Sequence, residues 1–146
     1  MTEIVITVSG RPWPEGSLRA FVRGGKAVIV HDNPAALEQW RGAVERAARK
    51  TGSSFLRRPV TIDMSLYLPR PRSHYRTGRN AHLLREEAPP FPVSRFDSDK
   101  LARAVLDSLS GVLYIDDGQV VDLSARKRYA EYGMMPGGII RVREAL

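Results

Sequence analysis

Six of the eight aspartates in this 146-residue chain fall between positions 97 and 122, in "DSDKLARAVLDSLSGVLYIDDGQVVD". Asp97 and Asp99 stand two residues apart, Asp116 and Asp117 are adjacent, and Asp107 lies between the pairs. Carboxylates held this close repel one another at neutral pH unless a cation or a helix end compensates them. Each pair has an ordinary structural use. Asp97 or Asp99 suits a helix start, where capping and the helix dipole contribute about 0.3–1 kcal/mol each, and Asp116-Asp117-Gly118 suits a turn. A cap needs only one aspartate, however, and only a short helical segment separates the pairs. If the strand that follows returns alongside that helix, the second pair approaches the first. Converging carboxylates offer the all-oxygen set that Mg2+ or Mn2+ prefers. A carboxylate-held Mg2+ suits phosphodiester hydrolysis, activating water and stabilising developing charge.

The remaining charge fits a polyanionic substrate. The chain carries +7 overall; residues 1–96 hold 16 Lys/Arg against 8 Asp/Glu, and residues 97–146 hold 7 against 8. A basic excess of this kind points to nucleic acid, the plain alternative being a solvated surface. Arg11, Arg19, Arg70, Arg72 and Arg76 are the residues expected to hold DNA. There is no cysteine, which excludes disulfides and thiolate metal sites. His31, His74 and His82 show no ligand spacing, although His74 sits where a phosphate contact is plausible. "GRPWPEGSLRAF" and "RGGK" are glycine-bearing stretches that suit a phosphate-binding loop but lack Walker spacing, so no nucleotide cofactor is expected. No apolar run reaches the ~20 residues a bilayer span requires, and a cytoplasmic location without membrane association is the expectation.

The elements that must position these residues are legible in outline. "EIVITV" (3–8) and "KAVIVHD" (26–32) read as strands, the second expected antiparallel to the first. "NPAALEQWRGAVERAARKTG" reads as a helix with Asn33 as cap, Pro34 at its first position and Gly52 beyond its end, presenting Leu37, Trp40 and Val44 on an apolar stripe. Trp40 is therefore core, whereas Trp13 suits either packing or stacking on an exposed base. "VTIDMSLYL" alternates between apolar and polar residues, as a strand covered by helices on one side only does. Residues 69–96 hold five of the ten prolines and six arginines and read as a long functional loop. A second helix follows, with Ser98 suited to cap it and Gly111 to end it. Strands are expected over 119–131 and in "GGIIRVREA". The expectation is one α+β domain over 1–146, a mixed sheet with two helices on one face in the order β-β-α-β-loop-α-β-β.

The stretch "DSDKLARAVLDSLSGVLYIDDGQVVDLSARK", with the upstream "YLPRPRSHY" and the proline-rich loop, resembles the RusA-type Holliday junction resolvases. Their pattern reads roughly D-x-D-N-L-x-K, then a D-A-L-like segment, then D-D-x-Q-V and a lysine on the next strand. The resemblance implies a homodimeric, Mg2+-dependent endonuclease that resolves four-way DNA junctions in recombination and repair. It carries the catalytic and metal-binding aspartates onto Asp97, Asp99 and Asp117. Two positions depart from the pattern: Lys100 replaces the asparagine, and Arg103 replaces the catalytic lysine. Arg103 can hold the scissile phosphate through its planar fork but cannot release a proton near neutral pH. If proton transfer is required, Lys100 or Lys127 must supply it; both are also expected at the DNA. The alternatives are a non-catalytic DNA-binding protein that keeps the resolvase fold and a nuclease acting on other branched DNA.

Overall fold

In the computed structural model, residues 3–16, 18–31 and 33–145 are described, without the side chains of 18–21 and 29–31. The strands are β1 (Ile4–Ser9), β2 (Leu18–Arg23), β3 (Lys26–His31), β4 (Val60–Leu68), β5 (Val120–Tyr129) and β6 (Gly137–Glu144). The helices are α1 (Pro34–Lys50) and α2 (Ser98–Leu109). Four strands form a mixed sheet in the order β1-β6-β4-β5, while β2 and β3 make a separate ribbon. The architecture is the expected α+β arrangement, with two corrections. Lys26–His31 pairs with Leu18–Arg23 and not with the first strand, whose partner is β6. "RGGK" is the turn of that ribbon: Gly24 and Gly25 have φ of 60° and 77°, which a two-residue hairpin of this type requires.

α1 starts where its sequence says. Asn33 Oδ1 accepts from the Ala36 N–H at 3.2 Å, and Pro34 occupies the first turn, where a missing N–H costs nothing. Along β4 burial alternates without a break from Val60 to Leu68. Its apolar side, Val60, Ile62, Met64 and Leu66, packs with Ile140 and Val142 of β6 and with both helices through Trp40, Val44, Leu101 and Val105. The opposite side is polar. There Arg126 grips Asp63 at 2.7 and 3.2 Å, and Arg141 meets Glu3 at 3.0 Å. The Arg126 hydrogen bonds hold the Asp63 carboxyl below its usual range.

One connection decides where the chemistry sits. β4 and β5 run parallel, with Val60 opposite Val120 and Leu68 opposite Tyr129, so the chain between them must cross back through α2. α2 therefore runs antiparallel to both strands. Its first turn lies at their carboxyl ends, and its last turn lies near the start of β5.

Candidate active site at the first turn of α2

The carboxyl ends of parallel strands, facing a helix N-terminus, are the usual location for phosphate chemistry in such units. Asp97 is the N-cap residue of α2 in place of Ser98, yet its side chain makes no capping hydrogen bond. Its carboxylate is 71% exposed, and the nearest ionic partner is the Lys100 ammonium at 3.6 Å. Asp99, also exposed, lies in the first turn. Both carboxylates gain from the positive end of the helix.

The backbone that aims Asp97 is unusual. Phe96 has φ of 58°, a left-handed conformation that a bulky residue rarely adopts. Lys127 holds it there: its ammonium donates to the Phe96 carbonyl at 2.6 Å and to the Arg95 carbonyl at 3.0 Å. On the other side, the Phe96 ring meets Trp13 edge-on at 4.8 Å, and the Arg95 guanidinium lies 4.6 Å from its centre. The Glu15 N–H donates to the Lys100 carbonyl at 3.0 Å, docking the segment that carries Trp13 against α2. Trp13 thus serves packing beside the site. No sequence signal marks the conformation of Phe96.

The second acidic pair lies elsewhere. Asp116 and Asp117 follow the C-terminal end of α2, in a short 3-10 turn, Asp117–Gln119, that leads into β5. Asp116 is occupied in the turn, accepting from the Gly118 N–H at 3.2 Å. Gln119 braces it: its amide oxygen accepts from Ile115 and Asp116, and its amide nitrogen donates to the carbonyls of Leu56 and Arg58. The D-D-x-Q spacing is the signal that finds this brace. Asp117 is exposed, and Tyr114, buried beneath, donates to the Leu106 carbonyl at 3.1 Å. Burial, seconded by Asp117, Asp107 and Asp116, pushes the Tyr114 phenol far above its ordinary value of 10.0.

The expected convergence of Asp97, Asp99 and Asp117 does not occur within this chain. Among the described residues, no three Asp, Glu or His side chains come together as a cation would need. The cause is the crossover: a strand returning along a helix begins beside the helix's end, not its start. The residue of β5 that does reach the first turn is Lys127. Arg103 stands on the exposed side of α2 between the two acidic groups, and neither Asp99 nor Asp107 forms an ion pair with it.

The expected DNA contacts divide into two kinds. Arg11, Arg72 and Lys100 are exposed. Arg70 is a tether, donating to the Pro89 carbonyl at 2.8 Å and lying 4.2 Å over the Tyr129 ring. Arg76 is exposed, with its Nε on the Leu84 carbonyl at 3.1 Å. The side chain of Arg19 lies outside the described residues. No helix among the described residues is long and apolar enough to cross a membrane.

The sequence pattern described as endodeoxyribonuclease RusA matches residues 10–142. The chain is also 32% identical over 129 residues to the uncharacterized protein YqaN of Bacillus subtilis (strain 168), covering 88% of this chain and 89% of that one.

Proposed function

Because the chain belongs to the RusA endodeoxyribonuclease family, a family of DNA-hydrolysing junction resolvases, we propose that it is a Mg2+-dependent homodimer cutting four-way junctions in recombination and repair. The observation that carries this reading is Asp97: an exposed carboxylate at a helix N-cap that makes no capping bond, beside Asp99 and at the carboxyl ends of parallel strands. Oxygen-only donors suit a hard cation, Mg2+ or Mn2+. One chain supplies Asp97 and Asp99 at one end of α2 and Asp117 beyond the other, so the set is incomplete without a second copy. Two α2 helices lying antiparallel about a two-fold axis bring the pair of each copy towards Asp117 of its partner, and such a dimer offers two symmetric sites for two symmetric cuts. When bound, the cation activates a water and stabilises charge developing on the phosphate. Arg103 contacts the scissile phosphate, Lys127 fixes the turn that aims Asp97, and the arginines of residues 69–96 hold the flanking backbone.

The experiment incubates the protein with a labelled four-way junction, a fork and a linear duplex, with and without Mg2+. Junction cleavage that requires Mg2+ is expected. Asp97→Asn and Asp117→Asn should each abolish cleavage and leave junction binding intact. Subunits of the two variants, mixed and re-associated, should recover nicking, because one of the two shared sites in each mixed dimer is then complete. Inactive mixtures would refute the shared site, and a wild type that binds junctions without cutting any DNA would make the protein a binding module.

A further inference from the structure

The segment between β4 and α2 is folded on itself. Of its two 3-10 turns, Arg72–His74 precedes a short hairpin joined at Tyr75 and Leu84, and Gly78–Asn80 lies within that hairpin's loop. Arg76 N–H donates to the Leu83 carbonyl at 2.8 Å, and Arg85 N–H to the His74 carbonyl at 2.9 Å. The hairpin rests on the end of β5 through His74 against Tyr129, 5.5 Å between ring centres, and through the Arg70 tether. Between it and the β5–β6 connection opens a cleft of about 800 Å3 lined by Arg70, Arg72, Tyr75, Arg76, Arg85 and Tyr132. That is within the ~300–1,000 Å3 range of small-molecule sites.

Three features of the cleft point to one ligand chemistry. It has four arginines and no acidic side chain in its lining, and neither the Arg72 nor the Arg85 guanidinium makes a hydrogen bond or ion pair among the described residues. Tyr132 is 66% exposed, an aromatic ring presented to solvent. It is held in place edge-on by Tyr75 at 5.7 Å and His82 at 6.2 Å. Guanidinium groups around fixed aromatic planes fit phosphates joined to flat bases better than either a free anion or an acidic peptide. The cleft also shares part of its wall with a groove beside the site. That groove, of about 350 Å3, has Arg70 and Arg72 in common with it and runs past Arg11 to Arg95 and Phe96, immediately before Asp97.

We infer that the Tyr75–Tyr132 cleft takes unpaired nucleotides of the DNA branch, with bases against the tyrosines and phosphates on Arg72, Arg76 and Arg85. The inference rests on the nuclease reading above and adds the means of choosing a branch over a linear duplex. Bases inside a duplex are stacked on their neighbours and do not reach a tyrosine face without being extruded. Nucleotides at a branch point have already lost a stacking neighbour, so they open into the cleft at a lower cost.

The test measures binding of full-length wild type, Tyr132→Ala and Tyr132→Phe to a ten-residue oligothymidylate, a four-way junction and a linear duplex. Tyr132→Ala is expected to weaken oligothymidylate binding by about 5- to 150-fold, the loss of one stacked base, and to weaken junction binding in the same direction. Duplex binding should stay unchanged, and Tyr132→Phe should behave as wild type. Replacing Arg72 and Arg85 by alanine should flatten the salt dependence for the oligothymidylate by about 0.7 in log–log slope per lost contact. Equal loss on duplex and single strand, no loss at all, or competition by polyglutamate as effective as by the oligothymidylate would overturn the inference. Each of these leaves junction cutting at Asp97 intact, so the nuclease reading is judged separately.

Discussion

Lys127→Met tests the bracket that aims Asp97. The ammonium makes two hydrogen bonds to carbonyls, at 2.6 and 3.0 Å. Charge-assisted bonds contribute about 1.5–3 kcal/mol each, the lower end applying here because Lys127 is only half-buried and water can replace it. Against this loss stands strain: a left-handed residue costs ~1–2 kcal/mol, which Phe96 sheds if the turn relaxes. The net destabilisation is then about 1–2 kcal/mol, or roughly 3–6 °C in melting temperature for a chain of this size. Activity should suffer more. Relaxation of Phe96 carries Asp97 with it, and a displacement near 1 Å at a reacting group costs on the order of 100-fold in rate. Thermal unfolding and single-turnover junction cleavage measure the two effects on one preparation. A variant that melts and cuts like wild type refutes the positioning role. Unchanged melting with weakened junction affinity would instead mean that Lys127 acts directly on the DNA.

Three further outcomes are expected. Arg103→Lys should retain most junction cleavage with an unaltered pH profile, while Arg103→Ala loses about 100-fold. A new pH dependence in the lysine variant would show that the position moves a proton and does not merely hold charge. Gly137→Ala should destabilise by about 3 kcal/mol or more, because a Cβ there collides with the Val8 carbonyl in the β1–β6 pairing, whereas a Cβ at Gly138 is tightest against the end of the Leu66 side chain, at 3.0 Å, and only in ordinary contact with the Ser65 carbonyl and the Trp40 ring. Urea midpoints that rank the two variants equally would contradict this. Finally, burial keeps the Tyr114 phenol protonated in the folded state above pH 10, where the unfolded chain ionises. The folded pKa is raised, so this contribution is fully present below pH 10 and is lost as pH rises beyond it. Stability should fall more steeply above pH 10 in wild type than in Tyr114→Phe, and parallel declines would rule the cause out.

Much of the frame was readable because its signals are local. Asn33-Pro34 starts α1, Gly52 follows its end with φ of 68°, and the alternation of Val60–Leu68 gives both faces of β4. The aspartates were legible as residues but not as an arrangement. That Asp97 lies at the carboxyl ends of the strands, well away from Asp117, depends on β5 lying parallel to β4, a pairing that joins residues about sixty positions apart. β2 was missed because its flanks read as turn chemistry and its hairpin glycines look like a phosphate loop. The ribbon is specified by the pairing of Arg23 with Lys26 across those glycines. Lys127 was visible as a basic residue on a strand. That it grips the backbone before Asp97 follows only from the turn of Phe96, and a phenylalanine in that conformation is held by its surroundings, not by its own preference.

The separation of the acidic groups along α2 has a consequence for how such an enzyme is kept safe. If the cutting site is shared between two copies as proposed, a single chain, newly made or shed from its partner, carries only part of it, since no three acidic or histidine side chains come together among the described residues. Cutting then depends on encounter: at concentrations below the dimer dissociation constant, activity per chain falls in proportion to concentration, while the basic surface still binds DNA. A cell could thus hold a small stock of dispersed chains along its chromosome without damage, and cutting would begin only where two of them meet on the same branch.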